Sequence, residues 1–512
     1  MSRSDNFERL AATDAVSGDL KRKSVLGALA TGAGGALDFV LRLGSTLILA
    51  RLLVPEHFGL VAMVTAITRI AERFATLGLS TATVQAPEIT EGQCSNLFWI
   101  NVAAGGLFAG LLVVFSPAVA SFYDDPRLQP IAVALSLNFL LTGLTVQHEA
   151  LLRRQMKLPE VAVNRLIATL LSVTLAITLA ATDFGYWALV WKEVAQMLFT
   201  AAGVWVVCPW LPSLPSRRVD MGRLLSFGRD MTLTQLLLAV SAQLDTLLIG
   251  RFGGPAILGL YRQAYNLMMG PVERLRNPIY GVSQPGLSVL QGQPARYRRY
   301  YQRILFVVSF ATVPLGVFTV IYAHDIVLVA LGEQWLGAVV FLRIFGVVAA
   351  IQPALGTSGT VMITCGRSGR FLVVSLVNNA LLALLMFIGV AWGAVGIASA
   401  RAATLVLVTP WALYYSFAES PVSVSDFVRT VSKPVVASAL MAAALIALQR
   451  FGAIDNEIVS LAAACGVAPI AYLTGMLLLP GGKDQLQSMA GELRGALRGR
   501  SSVGSAPTND VT

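Results

Sequence analysis

Apolar runs of about 20 residues recur along the whole 512-residue chain, each closed by a short polar or Gly/Pro-containing stretch. A helix of that length crosses the ~30 Å hydrocarbon core of a bilayer. The pattern therefore predicts an all-α polytopic membrane protein, because a membrane β-barrel would show shorter segments of alternating polarity. Fourteen spans are predicted. Six lie near 25–50, 58–79, 95–119, 129–151, 161–181 and 186–207. Six more lie near 228–250, 257–289, 302–322, 337–364, 371–390 and 393–417, and two near 432–449 and 458–479. The first, eighth and tenth carry charges, and twelve is the alternative count. Pro271 and Pro353 predict kinks in the long eighth and tenth spans.

Composition sharpens the class. Hydrophobic residues make up 55% and charged residues 13%, with mean hydropathy +0.69. Soluble domains carry about a quarter charged residues, so a soluble globular chain, a disordered chain and a nucleic-acid binder are excluded. The net charge of +10 gains meaning from its placement, since positive loops stay cytoplasmic. With a cytoplasmic N-terminus and fourteen spans, inside segments hold Lys21, Arg22, Lys23, Arg153, Arg154, Arg217, Arg218, Arg296, Arg299, Arg367, Arg429, Lys483 and others. Outside segments hold only Arg51, Arg127, Arg251 and Arg450. Both termini are expected in the cytoplasm of a cell bounded by this membrane.

The implied organisation is a cytoplasmic segment over 1–24, a six-helix lobe over 25–207 and a Pro-rich linker over 208–227. A second six-helix lobe over 228–417, two extra helices over 432–479 and a tail over 480–512 complete it. In the tail, Leu486, Met489, Leu493 and Leu497 have helical spacing, consistent with an interfacial helix or a frayed end; residues 500–512 read as disordered. The two lobes share a repeat. In 45–60 and 245–260, Thr46, Leu47, Arg51, Pro55, Gly59 and Leu60 match Thr246, Leu247, Arg251, Pro255, Gly259 and Leu260. Six spans separate the copies, so both have one orientation. A pseudo-two-fold along the membrane normal follows, with a substrate path at the interface of the lobes.

Charges inside spans are costly, about 2.5–3.5 kcal/mol on insertion scales, and normally face a partner or water. Asp38 and Arg42 stand at i and i+4 and can pair, a structural role being favoured over transport. Lys192-Glu193, Glu72-Arg73 and Glu273-Arg274 follow, and Asp245 is either a coupling carboxylate, a cap or a partner of Arg251. Arg69, Arg262, Arg343 and Arg401 are surplus to the local acids. If they converge they form a cationic cavity for an anionic, phosphorylated substrate. Arg262 alternatively snorkels to the outer interface. The four cysteines lack metal spacing and read as small hydrophobes, and His57, His148 and His324 form no metal constellation, so no metal or other cofactor is expected. Gly106-x3-Gly110 reads as a close-packing motif. With no Gly-x4-Gly-Lys-Ser/Thr motif, an ion gradient or the membrane potential would drive transport.

The stretches LARLLVPEHFGLVAM (49–63) and LGLSTATVQ (77–85) resemble the start of Wzx/WzxC-like polysaccharide flippases. These belong to the multidrug/oligosaccharidyl-lipid/polysaccharide exporter superfamily. The second half is similar too, with Asp245, Gly259-Leu260-Tyr261, Tyr265 and Pro271 at the expected places and QPGLSVLQ (284–291) after them. Thr76 departs from the pattern, which has an acid there. The resemblance covers roughly 25–420. It implies two six-helix lobes, alternating access and a lipid-linked oligosaccharide substrate flipped at the bacterial inner membrane for exopolysaccharide, capsule or O-antigen. Membrane lipids, a polysaccharide polymerase and glycosyltransferases would be partners. A small-molecule antiporter of the same superfamily is the alternative, although its cavity should hold carboxylates. A membrane-embedded polymerase or glycosyltransferase fits poorly with such short outer loops.

Overall fold

The computed structural model describes residues 20–75, 79–86, 89–216, 222–452 and 456–497. Thr76, Arg217, Arg218 and the tail from 498 onward lie outside the described residues. Those described form helices and no strands. The first half contains α1 (Leu20–Leu52), α2 (Pro55–Ala75), the short α3 (Leu79–Gln85), α4 (Glu91–Tyr123), α5 (Leu128–Arg154), α6 (Leu158–Ala181) and α7 (Trp187–Val207). Then come α8 (Gly222–Val289), α9 (Pro294–Ile321), α10 (Ala323–Ala330), a 3₁₀ segment Glu333–Ala338 and α11 (Val339–Thr364). The chain continues with α12 (Ser368–Gly389), α13 (Gly393–Phe417), α14 (Val424–Phe451), α15 (Glu457–Leu478) and α16 (Gly482–Leu497). Among the described residues nine helical stretches are long and apolar enough to cross a membrane. The protein is an all-α polytopic membrane protein.

Local chemistry sets the helix ends. Thr90 opens α4 with a capping box: its Oγ1 accepts from the Gln93 N–H at 3.2 Å, and the Gln93 side chain accepts from the Thr90 N–H at 3.0 Å. Ser423 and Asp426 do the same for α14. Asp124 ends α4 in the left-handed region, φ 61°. Pro271 and Pro353 both sit inside helices, α8 and α11. α8 is broken at Gly254, with φ 79° and ψ 175°, between the seventh and eighth predicted spans. Only glycine adopts that conformation without strain. The tail residues Gly482–Leu497 are helical, and Leu486 and Met489 pack against a core formed by α9, α14 and α15.

Two compact units result. One comprises residues up to Gln263 with Ala330–Gly337 and Met386–Ala398; the other comprises Ala264–Val329, Ala338–Leu385 and the chain from Ser399 onward.

Within the first unit the two repeat copies touch. A Cβ added to Gly59 would lie 1.7 Å from the Pro255 carbonyl oxygen, and one added to Gly259 would lie 1.8 Å from the Pro55 carbonyl oxygen. Each copy's glycine thus seats the other's proline, the reciprocity a two-fold contact requires. Both prolines start helical segments, where a missing N–H costs nothing. Tight packing surrounds the crossing: Leu60, Met63 and Leu258 are fully buried. The side chains of Gln334 and Trp335 donate to the Ala50 carbonyl at 2.6 and 2.7 Å, capping the open end of α1.

One expectation is corrected here. Gly106 and Gly110 face open space, with nothing within 4 Å of an added Cβ. The close approach of α4 to α5 runs through Gly105, against the Phe139 carbonyl, and Gly143, against the Asn101 carbonyl. The four-residue spacing was present, but on the wrong face of the helix.

Candidate functional site

Polar groups buried between apolar helices must find partners, because an unpaired one costs about 1–3 kcal/mol. The first unit meets this demand by gathering polar and charged groups from four helices. On α1, Asp38 accepts from Arg42 Nε at 3.1 and 2.9 Å through its two oxygens. From α6, Thr169 donates its hydroxyl to Asp38 at 2.9 Å and accepts from Arg42 at 3.2 Å. The pair read from i,i+4 spacing is therefore one side of a three-residue ring. Asp38 is 5% exposed, whereas the Arg42 side chain is 43% exposed, so the ring opens outward at the guanidinium.

The ring has neighbours. Lys192 on α7 lies within the electrostatic reach of Glu193 and Arg42. Glu72 on α2 lies within that of Arg69, Glu193 and Arg73. Ser172, one turn beyond Thr169, donates to Gln196 Oε1 at 3.0 Å. Hydrogen bonds join Asp38, Arg42 and Thr169, and Lys192 and Glu193 stand near that ring without a hydrogen bond to it. Sequence reasoning missed Thr169, Ser172 and Gln196. Their signal was weak: two hydroxyls three residues apart and a lone amide, inside apolar runs.

Asp245 sits elsewhere in the first unit and is 2% exposed. One oxygen accepts from the Tyr261 hydroxyl at 2.6 Å, and the other from the Thr246 N–H at 2.7 Å and its hydroxyl at 3.2 Å. Arg262 is half-buried and donates to the Thr246 hydroxyl at 3.5 Å. Asp245 and Arg262 are therefore linked through Thr246 and Tyr261, across the break at Gly254.

Of the remaining arginines, two are exposed and one is half-buried. Arg69 is exposed on α2, on the face opposite the buried Leu60, Met63 and Val64. Arg343 is exposed near the start of α11, while Phe341, Leu342 and Phe345 of that helix are buried. Arg401 is half-buried on α13. Arg69 and Arg262 belong to the first unit, Arg343 and Arg401 to the second. A guanidinium exposed within a spanning helix must meet water or polar groups rather than hydrocarbon.

Two of the three histidines serve packing. His148 is buried, stacks on Trp205 at 4.3 Å and has Nε2 3.0 Å from the Trp210 carbonyl oxygen. His57 meets Tyr186 edge-on at 6.1 Å. Among the described residues no group of three or more His, Cys, Asp or Glu could hold a metal ion. Cys94 and Cys208 are buried and Cys365 half-buried, but Cys465 is exposed.

Comparisons with known proteins agree with this architecture. A family model described as "Polysaccharide biosynthesis protein" matches residues 48–340. The chain is 25% identical to the teichuronic acid biosynthesis protein TuaB of Bacillus subtilis, over 73% of this chain and 78% of that one. It is 24% identical to the lipopolysaccharide biosynthesis protein WzxC of Escherichia coli, over 68% and 71%. The succinoglycan biosynthesis transport protein ExoT of Rhizobium meliloti is 24% identical, over 86% and 90%. Among solved structures, the lipid II flippase MurJ in an inward closed conformation superposes with TM-score 0.72 and 13% identity, over 88% of this chain and 98% of that one. An inward-facing multidrug resistance MATE transporter gives TM-score 0.58 and 14% identity, over 74% and 95%. These two likenesses establish the fold.

Proposed function

The chain belongs to the polysaccharide biosynthesis protein family, and from that premise we propose that it is a flippase for a lipid-linked oligosaccharide. Its substrate would be a polyprenyl-diphosphate-linked repeat unit. It would carry that unit from the cytoplasmic to the outer leaflet of the bacterial inner membrane, for exopolysaccharide, capsule or O-antigen assembly. The family match over 48–340 carries the reading, and the fold shared with a lipid II flippase supports it.

The chemistry fits. A diphosphate with many hydroxyls cannot shed its hydration to cross hydrocarbon alone. Guanidinium groups replace that hydration with charge-assisted hydrogen bonds. Arg69, Arg343 and Arg401, with Arg262, are the residues we assign to the diphosphate. Asp38, Arg42, Lys192 and Glu193, and separately Asp245, are the candidates for coupling transport to an ion gradient. We assign fourteen spans, both termini to the cytoplasm, 208–227 to the linker between lobes, and access that alternates between the leaflets. A polymerase and glycosyltransferases would supply and consume the substrate on either side.

The test uses a deletion strain. Polyprenyl-linked oligosaccharides are measured by mass spectrometry, and their sugars are labelled from outside in spheroplasts. Complete repeat units should accumulate unlabelled. Normal labelling of single repeat units would overturn the flippase reading and favour a polymerase, a scaffold or an antiporter.

A further inference from the structure

The segment between α7 and α8 opens with Pro209, Pro212 and Pro215, at every third place. Proline lacks the N–H that a helix interior or a sheet ladder uses, and this spacing suits a polyproline II form with three residues per turn. Burial follows the same period. Trp210 is 3% exposed, and Ser213 and Ser216, at the next two places of that period, are half-buried. Leu211 and Leu214, each one place further on, are 54% and 82% exposed. One side of the segment therefore faces protein, and another carries two bare leucines.

The protein side is held by the start of α4. Asn96 pairs with the backbone of Ser216 at both ends: its Nδ2 donates to the carbonyl at 2.7 Å and its Oδ1 accepts from the N–H at 2.8 Å. Ser95 Oγ accepts from the Ser213 N–H at 3.0 Å, and the Trp99 indole N–H donates to the Ser213 carbonyl at 2.8 Å. Trp210 packs in one buried cluster with Cys94, Leu97 and Phe98. The segment is thus a strap whose roll about its own axis is fixed at Ser213 and Ser216. Trp99 also marks the side of α4 that the strap crosses. It heads a stripe of exposed residues at helical spacing, continued by Ala103, Leu107, Leu111 and Val114. The stripe is apolar throughout, the character of a face turned to acyl chains, and tryptophan favours the level of the headgroups. The strap therefore lies on the lipid side of α4, at interface depth.

We propose that Pro209–Ser216 is an interfacial anchor, with Leu211 and Leu214 inserted at the boundary of headgroups and acyl chains, in the leaflet beside the start of α4. The bilayer is the occupant because the leucines continue an apolar surface already turned to lipid. Arg217 and Arg218 come next in sequence, and positive charge is favoured beside anionic headgroups. Two leucines left in water keep their apolar area hydrated, whereas at the interface they bury it. The first part of the linker is then no free tether but part of the membrane-bound surface of the first unit. The anchor is independent of which molecule is carried.

Bimane attached at Leu214→Cys reads these surroundings in the full-length protein, reconstituted in phospholipid nanodiscs. Cys365→Ser and Cys465→Ser remove the accessible native thiols, while Cys94 and Cys208 are buried; peptide mass spectrometry checks that only position 214 is labelled. A phospholipid with a nitroxide near the headgroup end of one acyl chain should quench the label, and aqueous iodide should leave it bright. At Pro215→Cys, exposed on another side of the same strap, iodide should quench more than the nitroxide lipid. Asn96→Ala with Trp99→Phe removes bonds that set the roll and should erase the contrast between positions 214 and 215. Quenching of the Leu214→Cys label by iodide as strong as that of the free dye would overturn the proposal. Shielding of that label from both quenchers would also overturn it, since protein rather than lipid would then cover the leucines. Equal quenching of the two positions by the nitroxide lipid, with Asn96 and Trp99 intact, would overturn the one-sided insertion.

Discussion

Replacing Gly59 by alanine tests the reciprocal crossing of the two repeat copies. The new Cβ would start 1.7 Å from the Pro255 carbonyl oxygen, so the helices must separate by roughly 1.5 Å to restore van der Waals contact. The obstacle is backbone, which no rotamer change can move aside. Separation would loosen Leu60, Met63 and Leu258, all fully buried. Overpacking of this kind costs about 1–3 kcal/mol, and a gap of that width points to the upper half of the range. Alanine returns about 1 kcal/mol of helix propensity. A net loss of about 1–2 kcal/mol is expected. Thermal unfolding of the purified protein in detergent, followed by tryptophan fluorescence, measures it. Gly259→Ala should lose a similar amount, since its Cβ meets the Pro55 carbonyl at 1.8 Å. The double variant should lose less than the sum, because both side chains push the same two helices apart. Gly106→Ala is the control: nothing lies within 4 Å of its Cβ, so it should match or slightly exceed the parent. The reasoning fails if Gly59→Ala and Gly259→Ala are as stable as Gly106→Ala.

Four further outcomes follow from the same reading. Tyr472→Phe strands the carbonyl of Phe310 and should cost about 1–3 kcal/mol; an unchanged melting temperature would show that this bond is dispensable. Asp38→Asn removes the charged acceptor shared by Arg42 and Thr169 and should cost about 1.5 kcal/mol, the low end for charged hydrogen bonds because Arg42 is partly solvated. Thr169→Val should cost less, and the reverse order in a denaturation series would contradict the ring geometry. Outside the spans, hydrogen bonds from Arg127 hold the Asp125 carboxyl below its ordinary range. A carboxyl depressed by folding stabilises the protein above its unfolded pKa, near 4, and the contribution is lost as pH falls through the lower folded value. The deficit of Asp125→Asn should therefore be complete at pH 7 and shrink below about pH 4, and a deficit that is flat with pH would rule out the pairing as its cause. Finally, Arg69→Gln, Arg343→Gln and Arg401→Gln should each reduce outward flipping about 10- to 100-fold if each gives one charge-assisted bond to the diphosphate, with membrane levels checked by immunoblot; full flipping by all three variants would remove them from the substrate site.

Much of the architecture was legible from local pattern. Runs near 20 apolar residues marked the spans, whereas the capping boxes that open α4 at Thr90 and α14 at Ser423 were not read from them. The Arg-x3-Pro-x3-Gly-Leu frame, read as a repeat, is also a contact: its glycines and prolines are the residues that meet. The repeat announced the symmetry, but nothing in either copy said that they touch each other. The candidate site was legible only in part. Asp38 and Arg42 could be paired from spacing. Thr169, 131 positions from Asp38, could not be, and neither could the proximity of Lys192 to Arg42.

What the sequence by itself determined was the solvent of this protein, the span pattern, the bias of positive charge and the position of the repeat. These are local or additive properties of composition and period. Only the tertiary structure decided which face of each helix meets protein and which meets lipid. Leu97 and Leu107 lie on the same helix, yet one is fully buried and the other is 60% exposed. In a soluble protein the exposed face would be polar and the helix period would reveal it. In a bilayer both surroundings are apolar, so hydrophobicity does not distinguish them, and packing is settled by small residues and backbone contact instead. That is why Gly106 and Gly110 misdirected the reading while Gly105 and Gly143 form the contact.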